Sequence, residues 1–217
     1  MSDKPTIRVE ATGTASAAPD IARIRLFTFA EDPAPGDALT SCSLLTDRVL
    51  AALRDAGIAS SDLETTSIDL NQQHRREAEA SVQNYRASSS LVATVRPPAD
   101  AGRIIAAAVD AAGTGVGIND VSFDIDDRAP LTSLARRDAV ARAVSAAHEL
   151  ADAAGLVLGP LLELVEGVGM QPHFRRSRLM SGAAPAPRPM PPTVELGELS
   201  MAVTVSAVFE VAPGATG

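Results

Sequence analysis

The chain of 217 residues is long enough for one large domain or two small ones, each with a buried core. Hydrophobic residues account for 46% and charged residues for 21%, which is typical of a globular protein and argues against wholesale disorder. The formal net charge of −8 disfavours non-specific binding to nucleic acid or to an anionic membrane, because affinity for phosphate depends on Lys and Arg.

The N-terminal residues bear on location. They lack the apolar region of a secretory signal, and no stretch approaches the roughly 20 apolar residues that span a bilayer. As the sequence stands, we expect a protein without a membrane span that stays in the cytoplasm. If a leader has been removed, we expect a periplasmic or otherwise exported protein instead.

The first part of the chain predicts two strands and a helix. A short strand is interrupted at Pro19 and Asp20, because Pro lacks a backbone donor and Asp readily forms turns. Residues 21–29 carry apolar side chains on both faces and predict an interior strand. Apolar residues at three- and four-residue spacing then predict a helix that Asp37 caps and that ends at Gly57.

The middle of the chain predicts three more strands and a second helix. Residues 65–70 and 85–95 alternate as strands, and the polar segment between them suits the end of a long hairpin. Asp100 is placed to cap a short helix, after which residues 118–125 form a strand. From residue 21 onward the order is strand–helix–strand–strand–helix–strand, which is that of a ferredoxin-like split βαβ unit.

The C-terminal part predicts a long helix and two strands. The helix begins at Thr132 or Ser133 and ends before Gly155. Residues 161–165 form a short strand, and residues 199–211 alternate so regularly that one face must be buried. The residues predicted to face inward from the helix are Val140, Ala143, Val144, Ala147, Leu150, Ala151 and Ala154.

These elements predict an α+β fold in which a ferredoxin-like core is extended by the long helix and the two C-terminal strands. We expect a single domain over residues 1–217. The alternative is a pair of subdomains, residues 20–125 and 126–212, hinged near residues 126–130.

The histidines and the cysteine do not occur in the sequence patterns that metal sites or catalytic sites require. A helical zinc site needs two ligands four residues apart, and His148 has no such partner on its predicted helix. His74 and His173 fall in polar loops. Cys42 is the single cysteine, which excludes an internal disulfide, and its place on the apolar stripe of its helix predicts a buried, inert thiol.

An acidic cluster, Asp124, Asp126 and Asp127, lacks the 12-residue spacing of a calcium loop and predicts a solvated turn. We therefore expect no enzyme, no cofactor, no catalytic residue and no metal site. A hydrolase or redox enzyme that uses His74, His173 or Cys42 is the disfavoured alternative.

The segment of residues 169–193 is rich in Pro and Arg and carries no acidic residue. In an acidic protein this local positive charge predicts a loop that docks an acidic partner or a neighbouring subunit. Its Pro-rich end could also present a polyproline II ligand, and the plainer alternative is a mobile surface insertion. The residues predicted for an interaction are Arg175, Arg176, Arg178, Arg188 and Pro189.

Several short motifs occur in a fixed order along the chain. They are Val9-Glu10-Ala11-Thr12-Gly13, Ala18-Pro19-Asp20, Gly57-Ile58, Asp62-Leu63-Glu64-Thr65, Tyr85-Arg86-Ala87, Ala135-Arg136-Arg137-Asp138-Ala139, Ala154-Gly155, Leu158-Gly159 and Gly197. As an ordered set over nearly the whole chain, they resemble the SIMPL domain family, which includes bacterial periplasmic immunogenic proteins and oxidative-stress defence proteins. Ala11 stands where the family often has Gly.

The resemblance implies an α+β fold, a tendency to self-associate, links to stress tolerance or signalling, and no established catalytic residues. The landmark positions that it implies shape the backbone and are Gly13, Pro19, Asp20, Gly57, Gly155 and Gly197. Our first hypothesis is therefore a bacterial, homo-oligomeric interaction protein with itself or an unidentified protein as partner. The alternative is a module that binds a small molecule or a metal in a cleft between subdomains.

Overall fold

The computed structural model describes residues 5–77, 80–167 and 197–214, without the side chains of residues 74–83. These residues form seven strands and three α-helices, so the predicted α+β class is confirmed. The elements are β1 Thr6–Ala17, β2 Ile21–Asp32, α1 Pro35–Asp55, β3 Leu63–Glu77, β4 Ala80–Val95, α2 Ala101–Ala112, β5 Val116–Asp124, α3 Ala129–Ala153, β6 Leu156–Glu166 and β7 Leu199–Pro213.

The described residues divide into two compact units. The central unit comprises residues 19–77 and 80–126, and the terminal unit comprises residues 5–18, 127–167 and 197–214. In this division β1 lies with the C-terminal elements, while the single domain over residues 1–217 and the alternative pair of subdomains both stay predictions. The chain therefore leaves the terminal unit after β1 and returns to it at α3.

The central unit contains one four-stranded antiparallel sheet in the order β3-β4-β2-β5. The prediction that β2 is an interior strand is confirmed, because it pairs with β4 on one side and β5 on the other. Ala22, Ile24 and Leu26 alternate along β2 and enter a core that α1 and α2 cover. The predicted strand–helix–strand–strand–helix–strand order is present, while the ferredoxin-like name for it stays a prediction.

Neither of the two predicted N-caps in the central unit, Asp37 and Asp100, forms a capping hydrogen bond. The N-cap of α1 is Ala34, and Asp32 rather than Asp37 accepts a hydrogen bond from its backbone N–H, at 2.8 Å. Pro35 begins the helix and moves its start two residues upstream of Asp37. Asp100 does stand at the N-cap of α2, but its carboxylate binds Arg103 at 2.8 Å and caps no backbone group.

The terminal unit has a sheet of its own, in the order β1-β7-β6, with α3 packed on it. The alternation predicted for β7 is confirmed, since every second residue from Leu199 to Val211 is buried. The predicted extension by α3, β6 and β7 takes the form of a second sheet, which also contains β1. Strand β7 pairs with β1 on one side and with β6 on the other, and α3 packs on the apolar face of β1 and β7.

Alanine residues form the buried stripe of α3. The helix begins at Ala129, three residues before the predicted start, and its buried residues recur at every fourth position: Leu131, Ala135, Ala139, Ala143, Ala147 and Ala151. The prediction that Val144 and Leu150 face inward is wrong, since they are 37% and 50% exposed. Small side chains face the sheet because the helix backbone lies close to it.

Gly13 on β1 shows how close this approach is. A Cβ atom at this position would overlap the backbone nitrogen of Ala139 and the carbonyl oxygen of Ala135, and it would lie 2.7 Å from the Cα of Ala139. These are backbone atoms of a helix interior, which cannot rotate away as a side chain can. Glycine at this position is therefore a packing requirement of the terminal unit.

Replacing Gly13 by Ala should lower the free energy of unfolding by about 3 kcal/mol, because the added methyl group forces α3 away from β1. Urea unfolding followed by circular dichroism measures this loss. Gly36→Ala is the matched control, since a Cβ at Gly36 meets nothing within 4 Å, and it should change stability by less than about 1 kcal/mol. An equal loss of unfolding free energy in the two variants would contradict the close contact between α3 and β1 at Gly13.

Candidate interaction surface

The Pro- and Arg-rich loop predicted as an interaction segment lies outside the described residues. This holds for every residue named in it: Arg175, Arg176, Arg178, Arg188 and Pro189. The prediction for residues 169–193 therefore stays a prediction.

Of the histidine and cysteine side chains, the structure describes those of His148 and Cys42. His148 is exposed on α3, as predicted. The prediction that His74 falls in a loop is wrong, since its backbone is part of β3 and pairs with Gln83 of β4. The side chain of His74 and all of His173 lie outside the described residues. Cys42 is 2% exposed, and its thiol donates to the carbonyl oxygen of Thr28 at 3.8 Å, so its predicted burial is confirmed. No group of three or more His, Cys, Asp or Glu residues suited to a metal ion occurs within the described ranges.

The acidic turn after β5 forms specific contacts in addition to facing solvent. Asp124 pairs with Arg23 at 3.1 Å, and Asp127 accepts a hydrogen bond from the backbone N–H of Ala129 at the start of α3. Asp126 binds Arg96, which also pairs with Asp62 at 2.7 Å. These hydrogen bonds, first to Asp126 and then to Asp62, raise the pKa of Arg96. The turn is thus held together by ion pairs.

The remaining landmark residues shape turns. Pro19 is buried, and Asp20 accepts a hydrogen bond from the backbone N–H of Asp126 at 2.8 Å. Gly57 and Gly155 follow α1 and α3 with φ of 97° and 68°, a backbone region that residues with a Cβ rarely adopt. Gly197 is exposed two residues before β7. None of these contacts offers a site for chemistry.

A different surface stands out at β6. The strand lies at one edge of the terminal sheet and pairs only with β7 among the described strands. Edge strands expose backbone N–H and C=O groups that can pair with another chain. Five of its large apolar side chains are 44–56% exposed: Val157, Leu161, Leu162, Leu164 and Val165.

This exposure follows from the position of α3, which packs mainly over β1 and β7. Leu161 and Leu164 are in register with the buried residues Phe209 and Ala207, so they face the helix side of the sheet but extend beyond the helix. Val165 is in register with Ser206 and belongs to the opposite face. Within the described part of the chain, exposed apolar side chains therefore lie on both faces of β6.

The charges of β6 are already paired within the unit. Arg136 on α3 binds Glu166 through two hydrogen bonds of 2.8 and 3.1 Å, which lower the pKa of that carboxyl group. Glu163 lies 3.7 Å from Arg8 on β1. Charged side chains commonly keep edge strands apart, and this strand has its two acids neutralised by cations of its own unit. The apolar side chains thus dominate its outer edge.

At the opposite edge of the same sheet, α3 binds one backbone donor of β1. The backbone N–H of Thr14 on β1 donates to the carboxylate of Asp138 on α3 at 2.9 Å, and Arg142 also binds this carboxylate at 2.8 Å. These contacts, the Thr14 hydrogen bond first, lower the pKa of Asp138. Helix α3 therefore occupies a donor of the β1 edge, whereas β6 is paired on one side only among the described strands.

Sequence reasoning did not identify β6 as a candidate surface. The predicted strand of residues 161–165 lies inside the observed Leu156–Glu166, but its position at an edge depends on the order of strands in space. The signal that was available is the run of apolar residues without alternation, which indicates a strand open or buried on both faces.

Comparison with known proteins identifies a family and two relatives. The model of the SIMPL family, described as a protein of unknown function (DUF541), matches residues 7–209. The 26 kDa periplasmic immunogenic protein of Brucella abortus (strain S19) is 31% identical over 223 residues, which is 97% of this chain and 87% of the relative. The protein of the same name from Brucella melitensis biotype 1 (strain ATCC 23456 / CCUG 17765 / NCTC 10094 / 16M) is 30% identical over the same shares.

The relatives also bear on location. Both are named as periplasmic proteins, so the comparisons do not support the predicted cytoplasmic location and agree with the alternative of export. Within the described residues, no helix has the length and apolar character needed to cross a bilayer.

The contact between Asp138 and the β1 edge should make stability depend on pH. Because its folded pKa is lowered, Asp138 stabilises the fold above its unfolded pKa of about 3.9, and this contribution is lost as the pH falls through the folded value. Asp138→Asn should therefore be less stable than the wild type at pH 7, with a smaller difference at pH 3. Urea unfolding at both pH values measures it.

The control is Asp152→Asn, which removes an exposed carboxylate on the same helix that has no side-chain partner in the described part of the chain. It should leave the pH dependence of stability unchanged. An Asp138→Asn variant that differs equally from the wild type at pH 7 and pH 3 would contradict the ionic role of Asp138.

Proposed function

The chain belongs to the SIMPL family, and we propose that it acts through self-association, with β6 as the contact strand and a second copy of the chain as the partner. The observation that carries this proposal is the open edge of β6, where five large apolar side chains are exposed. A soluble protein rarely keeps such an edge unpaired without a use for it.

An antiparallel β6–β6 pair explains the composition of this strand. Such a pair has twofold symmetry, so the same residues of each copy meet. Pairing satisfies the exposed backbone N–H and C=O groups of both strands. Burying one Leu side chain contributes about 1.5–3 kcal/mol, and Leu162 and Val165 occur on both sides of the contact. The two sheets of three strands would then form one sheet of six.

The proposal places the function in binding and not in catalysis. It is supported by the landmark residues, whose contacts are with the backbone, and by the burial of Cys42. A role in stress tolerance or signalling rests on the family resemblance alone and stays a prediction. The same is true of an unidentified protein partner and of a small-molecule or metal site in a cleft between subdomains.

We also propose a periplasmic location, as in the names of the two relatives. A self-associating protein without a disulfide requirement is compatible with that compartment, since Cys42 is buried in a helix and forms no bridge. Fractionation of the native bacterium should recover the protein with periplasmic markers. Recovery with cytoplasmic markers would overturn the location and leave the β6 proposal in place.

The self-association is tested by placing charge on β6. In size-exclusion chromatography with light scattering, the wild type should show a discrete species of at least twice 22.3 kDa. The double substitution Leu162→Lys and Val165→Lys should weaken this association at least about tenfold, because four ammonium groups would be desolvated or brought together in the contact. Circular dichroism should show an unchanged fold.

Leu44→Lys is the matched control, because Leu44 on α1 is 59% exposed, more than either β6 residue, and lies in the central unit. It should retain the association of the wild type. A wild type that stays a monomer at high concentration, or a β6 variant that associates as well as the control, would overturn the proposal.

A further inference from the structure

A groove in the central unit lies between α1 and β3, separate from β6. It encloses about 200 Å³ and is lined by residues of α1, β3 and β4. The volume is smaller than the about 300–1,000 Å³ of most sites for drug-sized ligands, so only a small molecule fits. The groove lies within one unit and does not depend on the proposed self-association.

The groove exists because α1 does not cover the edge of the sheet. Helix α1 packs over β2 and β4, whereas β3 is the outermost strand on this side. Ile68 on β3 is in register with Ser89 on β4 and faces the helix side, yet it is 66% exposed. Leu39 and Leu50 of α1 form the opposite wall, so the sides of the groove are apolar.

Ser89 provides a polar group in this lining. The residue is 4% exposed, and its hydroxyl has no hydrogen-bond partner in the part of the chain that the structure describes. The neighbouring buried hydroxyls are paired, since Thr28 and Thr46 lie 2.6 Å apart and Thr46 also donates to the carbonyl oxygen of Cys42. The Ser89 hydroxyl is not among the buried unpartnered groups of the described residues and opens into the groove, where it can donate to or accept a hydrogen bond from a ligand.

Asp47 provides the charge of the groove. It lies on α1 one turn after Ser43, and both residues line the groove. Among the described residues, no Arg or other donor pairs with the Asp47 carboxylate, in contrast to the paired acids of the turn after β5. A carboxylate beside apolar walls favours a cation that also carries an apolar body.

We propose that this groove binds a small amino alcohol, in which a short apolar chain separates a protonated amine from a hydroxyl group. The ammonium group pairs with Asp47, the chain lies between Leu50 and Ile68, and the hydroxyl hydrogen-bonds to Ser89. The net charge of −8 favours the approach of such a cation. An anionic ligand of the same size is disfavoured, because its charge would meet Asp47.

Titration calorimetry with three probes of equal chain length tests each contact. Aminohexanol should bind most tightly, hexylamine should bind at least about threefold more weakly, and hexanol should bind at least about tenfold more weakly. Amide chemical-shift changes in NMR spectra should be confined to α1, β3 and β4. Binding of hexanol as tight as that of the amines would overturn the assignment of Asp47.

Two substitutions separate the roles of the polar groups. Asp47→Asn should weaken the binding of both amines at least about tenfold and leave hexanol unchanged. Ser89→Ala should weaken aminohexanol but not hexylamine. Asp55→Asn is the control, because Asp55 is an exposed carboxylate in the last turn of the same helix and does not line the groove.

Circular dichroism and thermal unfolding should show that all three variants are folded. Absence of binding by every probe at millimolar concentration would overturn the proposal, as would Asp47→Asn binding with the affinity of the Asp55→Asn control. Neither result would bear on self-association through β6, which is measured by mass and in another unit.

Discussion

The terminal unit depends on the contact between α3 and β1, where the helix backbone lies directly against the strand. Gly13 permits this approach because it has no Cβ, and the helix meets the sheet through alanines at every fourth position. Each alanine buries little area, so the packing gains its stability from many close backbone contacts. Packing through small side chains is consistent with the composition of the chain, which has 46% hydrophobic residues but only 3% aromatic residues.

This contact also determines which surface remains open. A helix held close to β1, and tied to it by the hydrogen bond from Thr14 to Asp138, packs over that side of the sheet. It reaches β6 only at its margin, so Leu161 and Leu164 lie on the helix side without being covered. The proposed interaction surface is thus a consequence of the packing requirement at Gly13.

The central unit shows the same relation between a helix and an edge strand. Helix α1 covers β2 and β4 and leaves β3 at the margin, where Ile68 is exposed and the groove forms. In both units a functional proposal therefore rests on a strand that the helix layer does not reach. The SIMPL landmarks lie elsewhere, at turns and close contacts, which is expected of residues that maintain a fold.

Local patterns in the sequence were sufficient for much of the fold. Apolar spacing predicted α1, alternation predicted the buried face of β7, and apolar residues on both faces predicted that β2 is interior. The burial of Cys42 followed from its place on the helix stripe. Periodicity identifies these features because it depends only on the geometry of one helix or one strand.

The pairing of strands and the placement of helices on the sheets became known only from the tertiary structure, because periodicity within one element does not specify its neighbours. In the structure β1 pairs with β7, although the two strands lie near opposite ends of the chain. The residues of α3 that face the sheet are alanines, while Val144 and Leu150 are exposed. The tertiary structure also set β6 and β3 at sheet edges and left Ser89 without a partner among the described residues. The sequence by itself determined the type and the order of the elements and the class of fold that results. Neighbours in space determined the open surfaces, because strand order and helix placement depend on contacts between residues far apart in the chain.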